Sequence, residues 1–122
     1  MTCKILIADD EPSLRLLVRA SLESNPEFEL FEAVDGTDAI DKINIAKPDI
    51  LILDIMMPGL SGFEVCDKIK KETELKDIIV VMLSAKGKDT DKDWAKSVGA
   101  DHFLTKPFSP MELLELITQI SA

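Results

Sequence analysis

The sequence predicts an α/β fold: a doubly wound, five-stranded parallel sheet with five helices packed on its two faces. Two observations point there. Apolar strand-like runs alternate with helix-periodic stretches along the whole chain, the pattern of successive β-α units joined by right-handed crossovers. Three of the runs, Ile5-Leu6-Ile7-Ala8, Ile50-Leu51-Ile52-Leu53 and Ile78-Ile79-Val80-Val81-Met82-Leu83, show no polar alternation. Strands covered by helices on both faces read that way.

The first strand is expected over 4–8 and its helix over 12–24, with Pro12 early and Leu14, Leu17, Val18 and Leu22 on one face. The second strand, 28–34, alternates as Phe28-Glu29-Leu30-Phe31-Glu32-Ala33-Val34, which suits a sheet edge. Asp35-Gly36 turns into a helix over 36–46, where Ala39, Ile40, Ile43 and Ala46 face inward. Lys47-Pro48-Asp49 precedes the third strand, 49–53, and Pro58-Gly59 marks the turn before a helix over 61–73. That helix buries Phe63, Val65, Cys66 and Ile69 and leaves Lys68, Lys70 and Lys71 outside. The fourth strand spans 78–83. In the helix over 88–98, Trp94, Ala95 and Val98 share a face, which makes the indole a packing group. Gly99-Ala100-Asp101 leads into the fifth strand, 101–105, where lone His102 is expected to be exposed. Ser109 as N-cap, Pro110 and Glu112 start the last helix, 110–121, with Met111, Leu114, Ile117 and Ile120 as its stripe.

The 122 residues fit a single domain, 1–122, with enough chain for a core. Hydrophobic residues make up 46%, which excludes disorder. No apolar run approaches the roughly 18 residues that cross a bilayer, and the chain enters its first strand without a signal-like segment. Cys3 and Cys66 lack C-x-x-C spacing and read as apolar filler in a reducing cytoplasm. With 23 acids against 14 bases and a net charge of −9, the chain lacks the clustered positive charge of a nucleic-acid surface. Asp38, Asp41, Asp89, Asp91 and Asp93 read as solvated helix faces.

Chemistry concentrates where apolar runs stop. The first runs into Asp9-Asp10, the third into Asp54, the fourth into Ser84 and the fifth into Lys106. In a parallel sheet these ends lie on the carboxyl edge, where open α/β folds bind ligands. Asp9-Asp10 could merely cap a helix. Three gathered carboxylates, however, require a compensating cation, and hard oxygen donors favour Mg²⁺, with Mn²⁺ as a substitute. Whether the acids gather depends on strand order, which periodicity leaves open. Ser84 could be a turn serine or a donor to a phosphoryl oxygen. Pro107 holds Lys106 extended, so that its ammonium can be aimed back to neutralise transferring phosphate; a cis bond there is open.

Ala8-Asp9-Asp10-Glu11, Leu53-Asp54-Ile55-Met56-Met57-Pro58-Gly59, Leu83-Ser84-Ala85-Lys86 and Thr105-Lys106-Pro107-Phe108 together resemble the receiver domain of two-component response regulators. The resemblance covers essentially the whole chain. It implies strand order 2-1-3-4-5, which makes the first and third strands neighbours. It implies that Asp54 is the phosphoacceptor, that Asp10, Asp54 and the backbone carbonyl of Met56 ligate Mg²⁺, and that Asp9 acts through water. It further implies that Ser84 and Lys106 contact the phosphoryl group and that Ser84 and Phe103 form the switch, Phe103 lacking a hydroxyl. The implied partners are a sensor histidine kinase and a downstream protein or output domain, with no nucleic acid or membrane contacted by this domain. The implied role is a phosphorylation switch of the fourth-helix, fifth-strand and fifth-helix surface, without turnover of an external substrate.

Other functions fit less well. A flavin-binding protein of like architecture would not place Asp-Asp-Glu where phosphate is wrapped. An aspartyl phosphatase would carry D-x-D, whereas Met56 lies two residues after Asp54. No G-x-x-x-x-G-K-[ST] exists for nucleotide binding.

Overall fold

The computed structural model describes residues 2–85 and 89–121, with 89–92 as backbone only. Its elements are β1 (Cys3–Ala8), α1 (Pro12–Leu22), β2 (Phe28–Ala33), α2 (Gly36–Ala46), β3 (Ile50–Asp54), α3 (Gly62–Lys70), β4 (Ile79–Ala85), α4 (Asp89–Ser97), β5 (His102–Lys106) and α5 (Pro110–Ser121). All pairings are parallel and the strand order is β2-β1-β3-β4-β5, so the alternating second strand is an edge as expected.

Strand pleating divides the apolar runs between two cores. Leu6, Ala8, Leu51, Leu53, Val80 and Met82 pack against α2, α3 and α4 through Ala39, Ile43, Phe63, Cys66, Ile69 and Ala95. Ile5, Ile7, Ile50, Ile52, Val81 and Leu83 pack against α1 and α5 through Val18, Leu22, Leu113 and Ile117. Both faces of β1, β3 and β4 are therefore dry, which is why their sequences do not alternate. Among the described residues, side-chain caps start three helices. Asp35 accepts from the Asp38 N–H at 2.8 Å, and reciprocal boxes join Ser61 with Glu64 and Ser109 with Glu112.

Several expectations are corrected. α1 stops at Leu22, because Pro26 cannot continue a helix and biases Asn25 away from it. α3 stops at Lys70, and the carbonyls that follow are gathered in turns. Lys70 does not point outward: its ammonium donates to the carbonyls of Lys76 and Ile78 and pairs with Asp101 at 2.9 Å. In α5 the expected Ile117 is buried, with Leu114 and Ile120 partly buried beside it, but Leu113 takes the inward place expected of Met111, which is 64% exposed. Asp38 is not simply solvated, since it accepts from the Val34 N–H and pairs with Lys42, which holds its carboxyl below the ordinary range. Of the other acids assigned to helix faces, Asp41 and Asp93 are exposed, while the side chains of Asp89 and Asp91 lie outside the described residues, as does Lys86.

Trp94 is a packing group at an edge, 57% exposed and stacked on buried Phe63 with ring centroids 4.2 Å apart. His102 is exposed. Cys3 and Cys66 are free thiols; Cys66 donates to the Val98 carbonyl, and burial pushes its thiol up to about 11. No helix among the described residues is long and apolar enough to cross a membrane.

Candidate functional site at the carboxyl edge of the sheet

Register brings the strand ends together. Ala8 pairs with Leu53, so the next residues, Asp9 and Asp54, stand level on adjacent strands. Asp54 pairs with Leu83, and Ala85 with Lys106, which carries the edge across to β5. Asp10, Glu11, Asp54, Ile55, Met56, Leu83, Ala85 and Lys106 line a cleft of about 340 Å³.

One carboxylate oxygen from each of Asp9, Asp10 and Asp54 lies within 4.8 Å of the others. Asp9 and Asp54 are buried and Asp10 is exposed. Lys106 Nζ donates to Asp54 Oδ1 at 3.0 Å and lies 3.6 Å from Asp9 Oδ2, too far for a hydrogen bond. Asp9 Oδ1 accepts from the Glu11 N–H at 2.8 Å. Asp9 Oδ2 is buried with no hydrogen-bond partner among the described residues. A buried carboxylate oxygen in that condition is costly unless a cation or a proton meets it.

The electrostatics follow from burial. Desolvation raises the Asp9 carboxyl from the ordinary 3.8 to about 6; the neighbouring Asp54 charge adds to this, while the Glu11 N–H and Lys106 oppose it. Burial also raises Asp54, against the hydrogen bond and charge of Lys106. Burial by itself would lower Lys106, but its bond to Asp54 and the charges of Asp54 and Asp9 prevail and raise it. One ammonium thus faces two buried acids and a third at the rim. An oxygen-only donor set, crowded acids and a buried Asp9 Oδ2 that Lys106 meets only at ion-pair distance fit a hard divalent cation such as Mg²⁺.

The remaining predicted residues sit around this centre. Buried Ser84 donates to the Ala85 carbonyl at 3.2 Å, on the strand between Asp54 and Lys106. Phe103 pairs with Met82 and is half-buried against the core of the α2–α4 face, beside a hollow of about 180 Å³ that also touches Ala95 and Ala100. The Met56 side chain is 76% exposed at the cleft rim, and its backbone N–H favours the charged form of Asp54. The Lys106-Pro107 peptide is cis.

Sequence reasoning missed Gly62. The loop after Asp54 is closed by the Gly62 N–H donating to the Ile55 carbonyl at 2.9 Å, and α3 starts directly against the phosphoacceptor-candidate strand. A Cβ on Gly62 would overlap the Asp54 carbonyl and stand 2.9 Å from Ile55 Cα. It would force backbone to move. A glycine just past a helix cap carries no sequence signal that distinguishes this close approach.

Residues 5–118 match the family model of the response regulator receiver domain. The chain belongs to that family. It is 40% identical over 120 residues to the phosphate regulon transcriptional regulatory protein PhoB of Escherichia coli, covering 98% of this chain and 52% of that protein. It is also 40% identical over 113 residues to the alkaline phosphatase synthesis transcriptional regulatory protein PhoP of Bacillus subtilis, covering 93% and 46%. The chain therefore spans about half the length of these curated relatives. Among solved structures it resembles the chemotaxis response regulator CheY4 of Vibrio cholerae, with a TM-score of 0.90 at 32% identity, covering 98% and 99%. A response regulator from Chloroflexus aurantiacus gives a TM-score of 0.92 at 29% identity, covering 98% of each chain. Receiver domains bind Mg²⁺ at an acidic pocket and work with histidine kinases and output domains in two-component systems; they are generally not enzymes with an external substrate.

Proposed function

We propose that this receiver domain takes a phosphoryl group from the phospho-His of a sensor histidine kinase onto Asp54, and that the modified domain then acts on a downstream protein or output domain. The observation that carries this reading is the setting of Asp54: a buried carboxylate at a strand end, held by Lys106 at 3.0 Å and grouped with Asp9 and Asp10. Asp10, Asp54 and the Met56 carbonyl would hold Mg²⁺, with Asp9 acting through water. The bound ion would neutralise phosphoryl oxygens as charge builds on them.

The chain's own residues do the rest. The Asp54 carboxylate attacks phosphorus, a P–O bond forms, and the P–N bond breaks with its electron pair passing to the leaving imidazole. Lys106 already faces the attacked site and exchanges its bond to the carboxylate for one to a phosphoryl oxygen, so charge is met without reorganising water. Ser84 donates to another phosphoryl oxygen, drawing its hydroxyl away from the Ala85 carbonyl. That movement frees space beside β5 for Phe103, and the α4-β5-α5 surface changes. Water later cleaves the acyl phosphate and restores the carboxylate. The site of action is the cytoplasm, and the domain itself contacts neither nucleic acid nor membrane.

The test is intact mass after brief treatment with acetyl phosphate. The parent gains one phosphate with Mg²⁺ or Mn²⁺ and none with chelator, and Asp54→Asn gains none. Equal labelling of parent and variant sinks the assignment.

A further inference from the structure

Arg15 lies on α1 with its side chain only 14% exposed, and its guanidinium spans two elements. Nη1 donates to the backbone carbonyl of Asp9 at 2.7 Å, and Nε donates to Glu32 Oε1 on β2 at 3.2 Å. Glu32 is fixed from two further sides. Its Oε2 accepts from Arg19 Nε at 2.8 Å, and its carbonyl accepts from Lys42 Nζ of α2 at 2.6 Å. The β1–β2 register ends at Ala8 and Ala33, so the Asp9 carbonyl lies past the last ladder pair. The guanidinium supplies the donor that a strand neighbour does not.

Asp9 is thereby held at three points. Its N–H donates to the Ala33 carbonyl at 3.2 Å, its carbonyl accepts from Arg15, and its Oδ1 accepts from the Glu11 N–H. These bonds fix the chain direction from which the Asp10 side chain departs. Building on the reading of the acidic cluster as a divalent-cation site, we propose that Arg15 is a positioning residue for that site. It locks the Asp9-Asp10-Glu11 turn so that the Asp10 carboxylate, and Asp9 through its water, meet the ion in one arrangement. Groups that orient metal ligands without touching the metal act in this way.

Electrostatics and positioning predict opposite signs here. Removing a fixed positive charge bonded to the Asp9 backbone carbonyl should, by charge alone, tighten binding of a divalent cation at the neighbouring acids. Loss of the lock should loosen it. Lysine keeps the charge, but its single ammonium cannot reproduce the planar fork that bridges Asp9 and Glu32. Arg15→Lys and Arg15→Gln should therefore both weaken Mg²⁺ binding, although only one of them changes charge.

The experiment is calorimetric titration of the full chain with Mg²⁺, at a temperature where circular dichroism shows parent and variants fully folded. The Kd for Mg²⁺ is expected to rise on the order of tenfold in both Arg15 variants, as for other residues that orient metal ligands. Arg19→Gln, which removes a brace on Glu32 but no bond to Asp9, should stay close to the parent. In metal-free protein the Glu11 amide should exchange faster in the Arg15 variants. With acetyl phosphate, half-saturating Mg²⁺ should rise while the maximal rate at high Mg²⁺ is retained, a split that general loss of stability would not produce. Unchanged or tighter Mg²⁺ binding in Arg15→Gln, with Arg15→Lys like the parent, overturns the positioning role and leaves the cation site standing. A parent that binds no Mg²⁺ overturns the site itself, and the role of Arg15 with it.

Discussion

Without metal, the buried acid Asp9 should make the folded protein weaker as pH rises. Burial, with the charge of Asp54, raises its carboxyl from 3.8 to about 6. The folded state then binds the Asp9 proton more tightly than the unfolded chain does. Below about pH 4 both states are protonated and no penalty exists. As pH climbs through 4 to 6 the unfolded chain ionises first, and above 6 the folded state carries the whole cost of an ionised buried carboxylate. At about 1.4 kcal/mol per pH unit that gap is worth roughly 3 kcal/mol, a large part of a domain's stability. Asp54 is raised as well and works in the same direction. Asp38 is lowered, so the stability it confers is lost only below the unfolded-state value, beneath this window. Asp9→Asn removes the penalty while keeping the shape. Urea unfolding in chelator, followed by Trp94 fluorescence from pH 4 to 7.5, should show the variant and parent nearly equal at the acid end. The variant should lead by up to roughly 3 kcal/mol at the neutral end. A stability difference that does not change with pH would refute the assignment of strain to the buried Asp9 carboxylate.

Three further outcomes follow from the same geometry. Asp10→Asn should relieve repulsion among the acids yet lose most of the rise in melting temperature that Mg²⁺ gives the parent; an equal rise would remove Asp10 from the ligand set. Gly62→Ala must push α3 off the Asp54–Ile55 backbone and should cost about 1–3 kcal/mol in chemical unfolding, with slower phosphorylation; a neutral effect would show that the loop gives way freely. Ser84→Ala should still be phosphorylated, because carboxylate, lysine and cation site remain, but amide shifts induced by beryllofluoride should be weak across 93–121; parent-like shifts there would exclude Ser84 from the switch.

The layered fold was legible because β1, β3 and β4 are dry on both faces, and their apolar runs end where the edge begins. The same stopping points exposed Asp9, Asp10, Asp54, Ser84 and Lys106. Strand order was not legible from periodicity, because an apolar run does not name its neighbours; the motifs supplied it. In α5 Leu114, Ile117 and Ile120 face the core as expected, but Met111 was chosen over Leu113, because Met111, Leu113, Leu114, Leu116, Ile117 and Ile120 surround much of the helix and several stripes fit. The inward turn of Lys70 and the bond from Arg15 to the Asp9 carbonyl were hidden for a shared reason. Long cationic side chains read as solvent-facing in any sequence, and only the folded chain shows which backbone carbonyls lack a partner.

On the proposed reading, Asp54 becomes an acyl phosphate. Borohydride reduces an acyl phosphate to the alcohol and leaves free carboxylates alone, so a phosphorylated aspartate becomes homoserine. Protein treated with acetyl phosphate and Mg²⁺, reduced and digested, should yield a peptide with homoserine at position 54 and unchanged aspartate at 9 and 10. Homoserine at 9 or 10, or none anywhere after demonstrated phosphate uptake, would contradict the account.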